Sequence, residues 1–83
     1  MEKSITTPEY RVFLELLQEK RQAAGLTQVE VAERIGETQS FVSKIERGEL
    51  RLDFLQLRTF CLALDTNLAS VAKEFEKVLR STQ

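Results

Sequence analysis

The sequence predicts an all-α fold, a compact arrangement of five short helices built around two that are joined by a tight turn. Three observations predict it. Apolar residues recur every three or four positions through nearly the whole chain, which is the period of a half-buried helix. Each run is preceded by a residue suited to capping a helix N-terminus. One proline and three glycines are all that interrupt 83 residues, so the connections are short.

Met1 to Thr6 carry no pattern and are expected to fray. Thr7 then caps a first helix with Pro8 at its first position, where the missing N–H costs nothing. Tyr10, Phe13, Leu14, Leu17 and Ala24 share one side of this helix with Arg21. An arginine facing inward needs a partner, because an unpaired buried charge is expensive. Gly25 ends the helix and Leu26 plugs the corner.

Thr27 to Gly48 is the centre of the chain. Thr27 and Glu30 have the spacing of a capping box, and Val31, Ala32 and Ile35 form one apolar face. Gly36 terminates this second helix, and Thr38 caps a third only two residues later, with Val42 and Ile45 inward. Two helices joined so closely cross steeply, leaving the first turn of the later one in solvent. That turn carries Gln39 and Ser40, with Lys44 one turn on. Hydrogen-bonding side chains on a rigid projecting turn suit the base edges of a DNA major groove.

A loop, Glu49 to Leu52, leads to Asp53, the expected cap of a fourth helix from Phe54 to Leu64. Its apolar set is too wide for one buried face. Phe54, Leu57, Phe60, Cys61 and Leu64 make the main stripe, and Leu55 and Leu62 a second line beside it. Asn67 caps a fifth helix whose stripe is Leu68, Val71, Ala72, Phe75, Val78 and Leu79. No repeat, linker or low-complexity tract divides residues 1–83, which read as one domain.

Composition excludes several classes of function. With no histidine and a single cysteine, Cys61, neither the usual nucleophile–base pairs nor a thiolate or imidazole metal site can be assembled. Carboxylates are scattered singly and phosphate-binding glycine loops are missing, so no enzyme, cofactor, metal or small-molecule ligand is expected. No apolar run approaches the ~18 residues of a membrane span, and Met-Glu-Lys-Ser does not begin a signal peptide, so the expected location is the cytoplasm. A net charge of −1 is awkward for a DNA-binding protein. Its distribution softens the objection: residues 1–37 hold seven acids and five bases, residues 38–58 three acids and four bases.

The run Gly25-Leu26-Thr27-Gln28, Val31-Ala32, Ile35-Gly36, Thr38-Gln39-Ser40 and Val42-Ser43-Lys44-Ile45-Glu46-Arg47-Gly48 resembles the helix-turn-helix domains of the phage-repressor/Cro (XRE-type) family of bacterial regulators. The likeness is dense from about Leu14 to Leu68. It implies a lambda-repressor-like DNA-binding domain with its helix-turn-helix at 27–47, acting on double-stranded DNA in transcriptional control. It also implies that Arg21 pairs with Glu46, tying the first helix to the end of the recognition helix. Gln39, Ser40 and Lys44 match the base-contacting positions, Gln being suited to adenine and Lys to guanine. Contacts to the DNA backbone fall to Gln28, at a helix N-terminus, and to Ser43, Arg47 and Arg51. Thr38 and Phe41 are further candidates; Phe41 either touches thymine methyls or folds back toward the loop near Leu50.

One such domain covers few base pairs, and related proteins pair two of them, so a homodimer on a palindromic operator is expected. Its interface is placed on residues 53–80, at Leu55, Leu62, Phe75 and Leu79, since the family usually has polar residues where this chain has Leu55 and Leu62. Covering of these side chains within one chain is the competing reading. Small size without a ligand-binding domain favours a stand-alone autoregulator, a small repressor or controller protein, over a metabolite sensor. The sequence does not distinguish a phage-type repressor, a restriction–modification controller or an antitoxin that binds its own promoter. The rival from another class is a helical protein-interaction module that kept the fold without binding DNA.

Overall fold

Side-chain caps open every helix of the fold. A computed structural model describes residues 7–81, so the expected fraying of Met1 to Thr6 lies outside the described residues. The helices are α1 (Pro8–Ala23), α2 (Gln28–Ile35), α3 (Gln39–Glu46), α4 (Phe54–Ala63) and α5 (Leu68–Ser81), with no strand among the described residues. Thr7 and Thr38 accept the backbone N–H groups of Tyr10 and Phe41. Thr27 with Glu30, and Asp53 with Gln56, form complete capping boxes. Asn67 Oδ1 accepts the N–H of Ser70 at 2.9 Å. Each cap satisfies a donor that the helix itself leaves unpaired.

Four helix ends share one termination. After α3, Gly48 N–H donates to Ile45 O at 3.1 Å and Glu49 N–H to Lys44 O at 2.8 Å. The same double bond closes α1, α2 and α4, through Gly25 and Leu26, Gly36 and Glu37, and Asp65 and Thr66. This Schellman geometry needs one residue in the left-handed region. Glycine supplies it three times, and Asp65, at φ 62°, the fourth. Aspartate is among the few side chains that tolerate this conformation. Leu64 consequently lies just beyond α4, as its C-cap.

The core has two parts. Val31 and Ala32 of α2 meet Val42 and Ile45 of α3, sealed by Leu17, Phe60 and Leu64. Leu16, Cys61 and Val71 form a second cluster where α1, α4 and α5 converge. Leu16 was absent from the apolar side read for α1, yet it is buried together with its neighbour Leu17. Helix α1 therefore has a wider buried face than its most regular stripe suggests, because it packs on α3 and on α5 at once. Arg34 of α2 adds a polar tie, donating to the terminal carbonyl of Ala63 at 2.8 Å.

Three residues assigned to core stripes are exposed instead. Phe54, 70% exposed, is the first residue of α4. Side chains there lean back past the helix start rather than onto the helix below. Ala72 and Val78 face solvent because α5 buries only the narrow line through Val71. Leu55 and Leu62, read as lying off the main stripe of α4, are 73% and 50% exposed.

A partly buried ion pair joins the ends of α1 and α3. Arg21 Nε donates to Glu46 Oε2 at 2.6 Å and Nη2 to Oε1 at 3.1 Å, with the two side chains only 12% and 5% exposed. Arg21 Nη1 also donates to Leu26 O at 3.0 Å, fastening the corner before α2. Removing either partner strands the other, so Arg21→Ala and Glu46→Ala should each destabilise by about 3 kcal/mol. In a double-mutant cycle followed by urea denaturation, a coupling energy near zero would contradict this. Gly36→Ala tests the helix ends. No atom lies within 4 Å of the added Cβ, so the expected loss of about 1–2 kcal/mol, read from the same denaturation curves, comes from the backbone alone.

Candidate nucleic-acid interface

The ion pair continues outward as a chain of hydrogen bonds. Gln28, the first residue of α2, donates its Nε2 to Glu46 Oε1 at 2.9 Å, and its Oε1 accepts from Gln39 Nε2 at 2.7 Å. Amide orientation follows from chemistry. Glu46 only accepts, so Gln28 must turn its nitrogen inward and its oxygen toward Gln39. Gln39 then uses one Nε2 hydrogen internally, leaving the other and its Oε1 to face outward. That donor–acceptor pair matches N7 and the N6 amino group of adenine. Gln28, read from sequence as a phosphate contact, thus has a further role in this geometry, bridging the partly buried pair to the exposed turn.

Around Gln39, Ser40 and Lys44 are exposed along α3. Thr38 uses its hydroxyl oxygen as the α3 cap, which leaves the hydroxyl hydrogen to donate. Phe41 is partly buried and packs against the core cluster that also receives Leu52.

The cations read as phosphate contacts are held apart. Arg47, at the C-cap of α3, bonds both oxygens of Glu49, Nε to Oε2 at 2.9 Å and Nη2 to Oε1 at 3.2 Å, and its Nη1 donates to the Ser43 hydroxyl. These bonds hold the Glu49 carboxyl below its usual titration range. The guanidinium of Arg51 lies 4.6 Å over the Tyr10 ring, at the mouth of a groove of about 820 Å³ between α1, α4 and α5. The structure thus joins Arg21, Glu46, Gln28 and Gln39 in one network and Ser43, Arg47 and Glu49 in another, with Arg51 elsewhere. Glu49 was given no role by sequence reading; its place two residues after Arg47, across the glycine that ends α3, was the one local hint, and only the folded turn shows the contact.

The four side chains assigned to a dimer face are also divided. Leu55 and Leu62 stand exposed on α4. Phe75 is half-buried, edge-on to Phe13 at 6.1 Å, and lines the groove together with Phe54 and Leu57. Leu79 is half-buried farther along α5. Among the described residues, no helix is long and apolar enough to cross a membrane, and no group of three or more His, Cys, Asp or Glu side chains is placed to hold a metal ion.

Comparison with known proteins agrees with this geometry. A helix-turn-helix family model matches residues 17–71. Among solved structures, an XRE-family like protein from Pseudomonas syringae pv. tomato is 43% identical, with 84% of this chain and 85% of that one covered and a TM-score of 0.80. The clp gene regulator ClgR from Corynebacterium glutamicum is 25% identical over 93% of this chain and 84% of its own, with a TM-score of 0.77. The restriction-modification controller protein C.Esp1396I, seen as a tetramer with its natural 35-base-pair operator, is 18% identical (87% and 95% covered, TM-score 0.78), a likeness of fold. No curated protein sequence matches. The family consists of DNA-binding regulators rather than enzymes, and this chain is not an enzyme. With its match running from the last turns of α1 into α5, the chain belongs to the XRE-type helix-turn-helix family of DNA-binding transcriptional regulators.

Proposed function

We propose that the protein is a small autoregulating repressor or controller protein that binds a palindromic operator as a homodimer in the cytoplasm. The observation that carries this reading is the Arg21–Glu46–Gln28–Gln39 network, which anchors a reading side chain to the core. Gln39, Ser40 and Lys44 read base edges in the major groove, while Gln28, Ser43, Arg47 and Arg51 bind phosphates. Selection of bound sequences from a random DNA pool tests this directly, and recovery of a two-fold symmetric motif is the expected result.

Dimerisation follows from size and surface. Two recognition helices about one DNA turn apart, ~34 Å, are needed for a usable site length. Soluble monomers seldom leave a large apolar patch exposed. Leu55 and Leu62, exposed on α4, would centre the two-fold interface, with Phe75 and Leu79 of α5, both half-buried, contributing less. The controller protein of similar fold stands on its operator as a tetramer, so this architecture can present several recognition helices to one DNA.

Gln39→Ala and Lys44→Ala should each relax base preference at particular operator positions and cost about 1–3 kcal/mol there. An equal loss on specific and random duplexes would remove Lys44 from the reading set. For a dimer making roughly 6–8 phosphate contacts, log affinity against log salt should fall with a slope on the order of −6. A flat profile would favour a protein-interaction module instead. Leu55→Glu with Leu62→Glu should yield a folded monomer by light scattering and circular dichroism. A folded variant that stays dimeric would place the interface elsewhere.

A further inference from the structure

The geometry points to Glu49 as an intramolecular competitor for DNA phosphate, holding Arg47 in a carboxylate clamp that phosphate must displace on binding. The inference rests on the reading of Arg47 and Ser43 as phosphate contacts. All three guanidinium nitrogens of Arg47 donate to protein oxygens, two to the Glu49 carboxylate and one to the Ser43 hydroxyl. A planar guanidinium fork accepts a carboxylate and a phosphate in the same bidentate manner, so the two anions exclude each other at one site. Glu49 is therefore a stand-in for the ligand already present in the turn that ends the recognition helix.

The pair has no evident structural duty. Its side chains are 54% and 53% exposed, and pairs so exposed contribute little to stability. The turn that ends α3 is fastened by backbone bonds, Gly48 N–H to Ile45 O and Glu49 N–H to Lys44 O, which do not depend on the side chain at position 49. The negative charge stands beside the face that must approach a polyanion, and Lys44, one of the reading residues, also attracts it. An acid in that place weakens binding unless another group draws its field, and here Arg47 does so until DNA arrives. The low net charge of the chain has a local counterpart: part of its positive surface is masked in the free protein and becomes available on contact with DNA.

The test compares wild type, Glu49→Gln, Arg47→Ala and the double variant for binding to a short random-sequence duplex and to an operator selected from a random pool, at low salt. Glutamine keeps size and hydrogen-bonding capacity but removes the charge. The expected result is about two- to five-fold tighter binding for Glu49→Gln, the range of an exposed ion pair, and no gain from the same change in the Arg47→Ala background. An equal gain in both backgrounds would make Glu49 a diffuse charge rather than a clamp and would overturn the proposal. Weaker binding by Glu49→Gln would show that Glu49 orients Arg47 for DNA, and would overturn it as well. If Arg47→Ala weakens binding while Glu49→Gln changes nothing, only the clamp falls. If Arg47→Ala changes nothing, the phosphate role of Arg47 falls and the clamp with it.

Discussion

The partly buried contact between Arg21 and Glu46 is the constraint on which the arrangement of this protein depends. The pair sits where three segments meet: the end of α1, the corner at Leu26 and the last turn of α3. Val42 and Ile45 pack α3 onto the core, and the charge pair adds a hydrogen-bonded anchor at its last turn. A bidentate charge pair is directional, and more strongly so in a partly buried site, where the surroundings screen it less than bulk water. Glu46 thus fixes the rotation of α3, and Gln28 transmits that setting to Gln39 at the opposite end of the same helix.

Such a network has an energetic logic apart from stability. Buried ion pairs are often no better for stability than apolar packing of the same volume, because desolvation offsets the attraction. Their value here is geometric. A reading side chain held by hydrogen bonds loses less rotational freedom on binding DNA than one moving freely on the surface. Arg47 is held as well, by the Glu49 carboxylate. On the proposed function the two networks act in opposite senses, one preparing a base contact and the other restraining a phosphate contact.

Much of the fold was legible because its signals are local. Thr7, Thr27, Thr38, Asp53 and Asn67 precede their helices by rules that need no tertiary knowledge, and glycine ends three of them. Asp65 shows where such rules run out: it performs glycine's task at the end of α4, and nothing in its neighbours demands a positive φ. Leu16 and Phe54 failed for a related reason. Periodicity identifies apolar positions but not how many neighbours a helix has, and α1 packs against two helices while the start of α4 projects past its support. Within the candidate site, the residue types on the exposed turn were readable and their connections were not. The links of Gln28 to Glu46 and Gln39, and of Arg47 to Glu49, depend on rotamers that only the assembled helices fix.

The most direct test of the central claim uses Gln28, which hydrogen-bonds both to the partly buried pair and to the exposed turn. Base preferences of wild type and Gln28→Ala should be compared position by position across the operator, with folding checked by circular dichroism. If the network orients Gln39, preference falls at the base pair that Gln39 reads and persists where Lys44 reads. A uniform loss of affinity at every position, with base preferences unchanged, would contradict it and leave Gln28 as a phosphate contact alone.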